Sequence, residues 1–515
     1  MTRRTRSICF AASVLASALT VAGCGGGSDS SGSGPLPRGV VSPGGPAPPG
    51  SVRADADPVS TFALDIDTAS YDYAGRLLRE GVLPDPETVR VEEFINAFRQ
   101  DYPEPAGGGF TVTVDGAAGG LGVPLGYGVD AAYDPIGDDV RLMRVGLQTR
   151  SADPEVREPV ALTFVIDVSG SMAEPGRLDL AQYALHGLVD QLGVDDSVAI
   201  VAYSSRAEAL LEMTSGTNRT ALHAAIGDLR PLETTNLADG LATGYRVAAQ
   251  GYRAGVENRV ILISDGLANE GATDPNAILE QVRAEAGRGI DLLCVGVGRE
   301  YGDELMERLA DQGDGFAVYV SSPADARDLF VHRLTGTLQV QARDAKAQVT
   351  FDPRTVLSYR LVGYDNRLLA DADFRDDRVD GAEIGPGHSV TALYEVALAP
   401  EATATAPVAE ARVRWLDPMS RAPDEVGRRI TVADLSGDVW TEPSLRLQVD
   451  VVAAQLAGLL RFGTVGWDGY GPGGGTLIDP RELARQADRL AALTADPEVA
   501  ELAGMVRTAG NLLIE

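Results

Sequence analysis

The chain has 515 residues, of which 44% are hydrophobic and 23% charged, and its formal net charge is -30 at pH 7. This length exceeds one ordinary core and divides into several folded units. The charge excludes nucleic acid as a partner, since phosphates are bound by clustered Lys and Arg, and it excludes adsorption of the folded part to anionic lipid.

Arg3, Arg4 and Arg6 precede a short apolar run from Ile8 to Thr20. The run is too short to span a bilayer and has the layout of an export signal. Gly, Ser and Pro then dominate to about Pro58, so residues 24–58 are expected to be a disordered tether. Residues 59–150 read as a small α+β segment: a strand over Thr61–Asp67, helices over Tyr71–Glu80 and Thr88–Arg99, and a strand over Val140–Leu147.

Regular alternation begins next and spans residues 151–338. Apolar strands at Ala161–Ile166, Ser197–Tyr203, Arg259–Ile263, Asp291–Val297 and Phe316–Val320 are separated by helical patterns at 178–192, 220–229, 237–249, 277–285 and 304–312. Strands that are almost continuously Val, Ile and Leu, with helices between them, predict an α/β fold with a doubly wound, mostly parallel, Rossmann-like sheet. Residues 339–435 read as a β-rich domain of short alternating runs, and residues 436–515 as a helical region. The glycine-rich stretch Gly463 to Gly475 lacks the Gly-Lys-Ser/Thr ending of a phosphate loop, so no nucleotide is expected.

Asp167-Val168-Ser169-Gly170-Ser171 directly follows the first of the regular strands. A strand ending in Asp-x-Ser-x-Ser turns one carboxylate and two hydroxyls toward a point above the sheet, an oxygen cradle for a hard divalent cation. Ser169 and Ser171 could instead cap free N–H groups at a helix start. Thr234-Thr235-Asn236-Leu237 lies before a helix, and Ser264-Asp265-Gly266 closes another strand. In such sheets ligands gather at the carboxyl ends of the strands, near the switch point of the strand order. Asp65 and Asp67 could form a second cation site, although alternating acids at a strand end are more often solvated. Asp371, Asp373, Asp376 and Asp377 read as an exposed acidic turn.

The three pieces together, in this order, resemble the metal-ion-dependent adhesion site of von Willebrand factor A domains. That resemblance implies Asp167, Ser169, Ser171 and Thr235 as ligands, with Asp265 acting through a bound water. The family pattern places the threonine directly before the Asn, which disfavours Thr234. The implied ion is Mg²⁺, with Mn²⁺ or Ca²⁺ as alternatives, and the implied partner is a protein or an acidic envelope group that completes the ion's shell. Val21-Ala22-Gly23-Cys24 resembles the lipobox of bacterial lipoproteins, which implies removal of residues 1–23 and a lipid anchor on Cys24 holding the protein to the cell membrane outside the cytoplasm. The segments Thr61 to Tyr71, Val91 to Asn96, Tyr359 to Arg367 and Gly387 to Glu395 resemble those of bacterial A-domain lipoproteins, with one departure at Leu267-Ala268-Asn269.

Catalytic signals are missing from the sequence. The four histidines (His186, His223, His332, His388) are scattered, with neither a His-Glu-x-x-His nor a Gly-x-Ser-x-Gly motif. The expected function is therefore a membrane-anchored, metal-dependent adhesion or scaffolding lipoprotein and not an enzyme. The alternatives are a recognition subunit of an envelope assembly whose metal is mainly structural and, at lower weight, a metal-dependent hydrolase. With Cys9 in the signal and Cys24 lipidated, Cys294 is left as a lone buried hydrophobe.

Overall fold

Val/Ile/Leu runs with no polar face must be covered on both sides, and in the central part of the chain they are. In the computed structural model, the described residues are 51–121, 140–151, 159–232, 234–265, 275–298, 304–313, 315, 317–320, 322–327, 329–330, 340–365, 367–379, 381–418, 420–441, 444–462 and 479–514. The export signal, Cys24, most of the tether, Leu267-Ala268-Asn269 and the glycine-rich stretch lie outside them.

Before the central domain come strands β1 (Val52–Arg53) and β2 (Val59–Ala63), helices α1 (Ala69–Arg79) and α2 (Val91–Asn96), and strands β3 (Phe110–Ala118) and β4 (Val140–Thr149). The tether expected to run to residue 58 is corrected here. Val52 and Arg53 pair with a distant strand, and Ala54 is fully buried, so the ordered chain starts before Pro58.

The central domain contains β5 (Val160–Asp167), α3 (Leu178–Val189), β6 (Ser197–Tyr203), β7 (Ala207–Ser215), α4 (Arg219–Gly227), α5 (Leu237–Gln250), β8 (Glu257–Ser264), α6 (Pro275–Ala286), β9 (Asp291–Val297), α7 (Glu304–Gln312), β10 (Ala317–Val320) and α8 (Pro323–Arg327). Its sheet order is β10-β9-β8-β5-β6-β7, parallel except for the β6–β7 pair. Two apolar clusters cover the two faces, one around Phe164, Leu185 and Phe330, the other around Val201, Tyr245 and Leu262. The doubly wound expectation holds, with β7 as an antiparallel edge strand that the sequence pattern does not signal. Cys294 lies in β9 and is fully buried.

The remaining strands are β11 (Ala342–Phe351), β12 (Val356–Val362), β13 (Ala382–Ile384), β14 (Ser389–Leu398), β15 (Pro407–Leu416) and β16 (Pro423–Thr431). Helices α9 (Leu445–Phe462), α10 (Pro480–Thr494) and α11 (Pro497–Ile514) follow. The sequence divides this flanking chain into a segment, a β-rich domain and a helical region; the structure joins them. One antiparallel sheet runs β1-β12-β14-β4-β3, so Met143 stands opposite Tyr394, and β2 pairs with β11 in a second sheet containing β13, β15 and β16. The two sheets share a core through Val145, Tyr394, Val349 and Val408, while α1, α2 and α9 to α11 cover the outer face of the first sheet.

A buried guanidinium ties these segments together. Arg144 on β4 donates to both carboxylate oxygens of Asp115 on β3 (2.7 and 2.6 Å), to Gln100 Oε1 (2.9 Å), and to Asp450 Oδ2 on α9 (2.8 Å). Burial pushes the Asp450 carboxyl up to about 6 despite Arg144 beside it.

Candidate functional site at the switch point of the central sheet

Strands β5 and β8 are neighbours whose crossovers lead in opposite directions, from β5 to β6 and from β8 to β9, and this opens a crevice at their carboxyl ends. Asp167 is the last residue of β5 and is fully buried. Its Oδ1 accepts the Ser169 N–H (2.8 Å), and its Oδ2 accepts Ser264 Oγ–H (2.8 Å) and, more weakly, Tyr203 Oη–H (3.4 Å). Burial pushes the Asp167 carboxyl above the ordinary carboxylate range, so its charge is held in an environment that favours a compensating cation.

Ser169 opens a short 3-10 turn (Gly170–Ala173) but makes no capping bond with its side chain. Its Oγ lies instead 3.1 Å from Ser171 Oγ. The cap explanation for this serine therefore fails, and the two hydroxyls stand side by side.

The threonine loop is fixed over the same strand ends. Leu232 N–H donates to Val168 O, and Asn236 N–H to Ser204 O (2.6 Å), while Asn236 Oδ1 caps α5 through the Asp239 N–H (3.2 Å). Helix α5 can hold the loop there because it approaches the sheet on glycine. A Cβ at Gly240 would stand 2.7 Å from the Tyr203 ring, and one at Gly244 2.2 Å from Val165 Cγ2. Thr235 is buried. So is the Oγ1 of Thr234, the hydroxyl disfavoured by the sequence pattern, and that oxygen has no hydrogen-bond partner.

Asp265 follows the end of β8 and is buried as well. Its Oδ2 accepts Arg177 Nη1–H at 2.7 Å, and the same nitrogen donates to the carbonyl of Ser171 (3.1 Å). Arg177 is itself buried, with Glu174 Oε2 3.0 Å from its Nη2. Sequence reasoning missed this residue; an arginine six positions after Ser171 carries no distinguishing signal. It links two of the expected ligand segments and supplies a resident positive charge next to Asp265. It also marks where the surrounding chain reaches this face. Arg177 packs against Gly298, whose carbonyl accepts Arg76 Nη1–H from α1 (3.3 Å).

Asp167, Ser169 and Ser171 come together directly, with Ser264 as an added partner. Thr235 and Asp265 sit on the two neighbouring segments, one tied by backbone bonds and the other by Arg177. Among the described residues no group of three or more His, Cys, Asp or Glu side chains is placed to hold a metal ion. A cation here would be held by hydroxyls with one or two carboxylates. That donor set suits a hard ion and not a thiolate or imidazole metal.

The other acidic pair turns out differently from either sequence reading. Asp65 and Asp67 are buried and face Arg367, whose Nε donates to Asp65 Oδ2 (3.1 Å) and whose Nη2 lies 3.5 Å from Asp67 Oδ2. A guanidinium takes the place a cation would have. In the acidic turn, Asp376 pairs with Arg378 and Asp377 with Arg414.

Residues 161–332 match the family described as von Willebrand factor type A domain, residues 336–425 the one described as Uncharacterized protein YfbK, C-terminal, and residues 49–119 one described as von Willebrand factor. The chain thus carries an A domain followed by a YfbK-type C-terminal domain. It is 34% identical over 343 residues to Uncharacterized protein YfbK of Escherichia coli (strain K12), covering 66% of this chain and 58% of that one. It is 29% identical over 191 residues to an uncharacterised protein of Synechocystis sp., covering 37% and 44%. The chain thus spans less than two thirds of the length of these curated relatives. Among solved structures, a von Willebrand factor type A protein from Catenulispora acidiphila is 17% identical, with a TM-score of 0.45, over 77% of this chain and 89% of that one. None of these descriptions names an enzymatic activity.

Proposed function

We propose that this protein is an envelope-anchored, divalent-metal-dependent binding lipoprotein, an adhesion or scaffolding module that captures an acidic group of a protein or envelope polymer. The observation that carries the reading is the cradle at the end of β5: a buried, desolvated Asp167 beside the paired hydroxyls of Ser169 and Ser171. An A domain is in general a protein-interaction module, and this cradle is the part of it with chemistry to offer.

Asp167, Ser169, Ser171 and Thr235 would hold Mg²⁺, Mn²⁺ or Ca²⁺, with Asp265 behind them. When bound, the ion supplies a positive centre able to accept a carboxylate oxygen of the partner. The protein's own residues do the rest. Ser264 and Tyr203 orient the Asp167 carboxylate, Arg177 fixes Asp265 and the turn at Ser171, and glycines on α5 allow the threonine loop to close over the strand ends. On a chain of net charge -30, such a point lets an acidic partner dock against the long-range repulsion. The lipid anchor on Cys24 would place this face outside the cytoplasm.

The test is capture from the envelope fraction of the producing organism by the protein from Ser51 onward, with Mg²⁺, with EDTA, and as Asp167→Ala. The reading expects one set of partners retained only by the metal-loaded wild type. Identical partners in all three samples would move the binding surface away from β5 and refute the reading.

A further inference from the structure

The charges around the cradle are not divided as the ligand pattern implies. Ser264 and Asp265 are consecutive at the end of β8, and consecutive side chains on extended chain leave it on opposite sides. Ser264 takes the cradle side, donating from Oγ to Asp167 Oδ2 (2.8 Å). Asp265 takes the other side, where its Oδ2 accepts Arg177 Nη1–H (2.7 Å). This pair is closed to solvent, the Asp265 side chain being 2% exposed and that of Arg177 7%. The same Nη1 donates to the carbonyl of Ser171 (3.1 Å), the residue whose Oγ stands in the cradle. Glu174, the other acid on this guanidinium, has a side chain 67% exposed, so solvent screens it. Gly298 holds the arginine from behind: a Cβ there would stand 3.0 Å from Arg177 Nε.

We propose that Asp265 serves Arg177 and not the ion's shell: the arginine is a built-in counter-cation that withholds this carboxylate from a divalent ion in the cradle. It thereby lowers the site's affinity for the ion and raises the bound ion's affinity for an acidic partner. The inference rests on the metal reading of Asp167 and refines it. A guanidinium keeps its charge throughout the working pH range. Tied to the Ser171 carbonyl, it stands beside the donor set, and Asp265 offsets its repulsion of a divalent ion only by pairing with it. The ion is left with Asp167 and neutral hydroxyls. Hard-cation sites tune their affinity over orders of magnitude by the number of charged ligands. Withholding one carboxylate therefore weakens the hold on the ion and leaves more of its charge for a carboxylate of the partner. The two roles of Asp265 predict opposite signs. If it served the ion through a water, removing Arg177 would loosen Asp265 and weaken ion binding. As a counter-ion, it is released to the ion when Arg177 is removed, and binding tightens.

The experiment is Mn²⁺ titration of the full chain, with free Mn²⁺ read by electron paramagnetic resonance. It compares wild type with Arg177→Lys, Arg177→Met, Arg177→Met/Asp265→Asn and Asp167→Ala, each checked for folding by far-UV circular dichroism. Arg177→Met should bind Mn²⁺ about tenfold more tightly than wild type. Arg177→Lys, which keeps the charge, should stay within about threefold of wild type. The double variant removes both charges of the pair, and buried pairs can be replaced by neutral side chains without loss of stability. It should therefore fold, even if Arg177→Met with its stranded Asp265 does not, and bind within about threefold of wild type. Unchanged or weaker binding by folded Arg177→Met would return Asp265 to the ion's shell and overturn the proposal. So would a double variant that binds about tenfold more weakly than wild type. Equal binding by wild type and Asp167→Ala refutes the metal reading itself, and this inference with it.

Discussion

The A domain and the body around it use strands of similar length but close them over different distances along the chain. Every strand pair of the A domain lies between residues 160 and 320, and its helices connect adjacent strands except for the crossover through α4 and α5, which carries the chain from β7 past β6 and β5 to β8. In the surrounding body, β1 pairs with β12, β2 with β11, and β4 with β14, so each pairing spans the whole A domain. One region is specified by local pattern. The other exists only once distant segments have met, and it relies on buried ion pairs where they join. Arg144 links β3, β4 and α9. Arg343 on β11 reaches into the A domain, 2.9 Å from Asp291 at the start of β9 and 3.9 Å from Glu257, which Arg259 also contacts at 3.0 Å.

The sharpest way to break this comparison is to cut one of those joints. Arg144→Met strands Asp115 and buried Asp450, and should cost about 3–5 kcal/mol. Calorimetry should show the body's transition falling while the A domain's Mg²⁺ response is retained. Gly244→Ala attacks the other region. Its new Cβ meets Val165 and pushes α5 off the sheet, costing about 1–3 kcal/mol in urea unfolding and weakening Mg²⁺ binding through the displaced threonine loop.

The joints should also respond to pH. Burial pushes Glu257 up to about 7 and Asp450 up to about 6. Both are acids whose folded pKa exceeds the unfolded one, so the native state holds more protons within those windows. Stability should therefore fall as pH rises from about 4 to 6 for Asp450 and from about 4.5 to 7 for Glu257. Glu257→Gln should flatten the upper part of the profile of melting temperature against pH.

Without metal, the smallest effect belongs to the cradle itself. In EDTA at pH 7, Asp167→Asn should match or slightly exceed wild type in thermal stability, because it removes a desolvated charge. With Mg²⁺ at one hundred times its dissociation constant, wild type alone should gain about 2.7 kcal/mol.

How much could be read from the sequence follows the same division. The strands Ser197–Tyr203 and Asp291–Val297 match the sequence reading to the residue because burial on both faces leaves an unambiguous apolar run, and the helix Glu304–Gln312 matches because its apolar residues recur at helical spacing. Strand β7 escaped because Ala207–Ser215 is a half-exposed edge strand of helix-forming residues. The body's division into three domains was an artefact of reading locally what is built non-locally. Of the site, Asp167, Ser169 and Ser171 were legible because one short motif carries them. Arg177 was not, since its role depends on the turn it spans.

The most direct test of the central claim is binding of Mn²⁺, as a paramagnetic stand-in for Mg²⁺, to the full chain and to Asp167→Ala. The account predicts one hard-ion site in wild type, displaced by Mg²⁺ and absent from the variant. Equal Mn²⁺ binding by both proteins would contradict it.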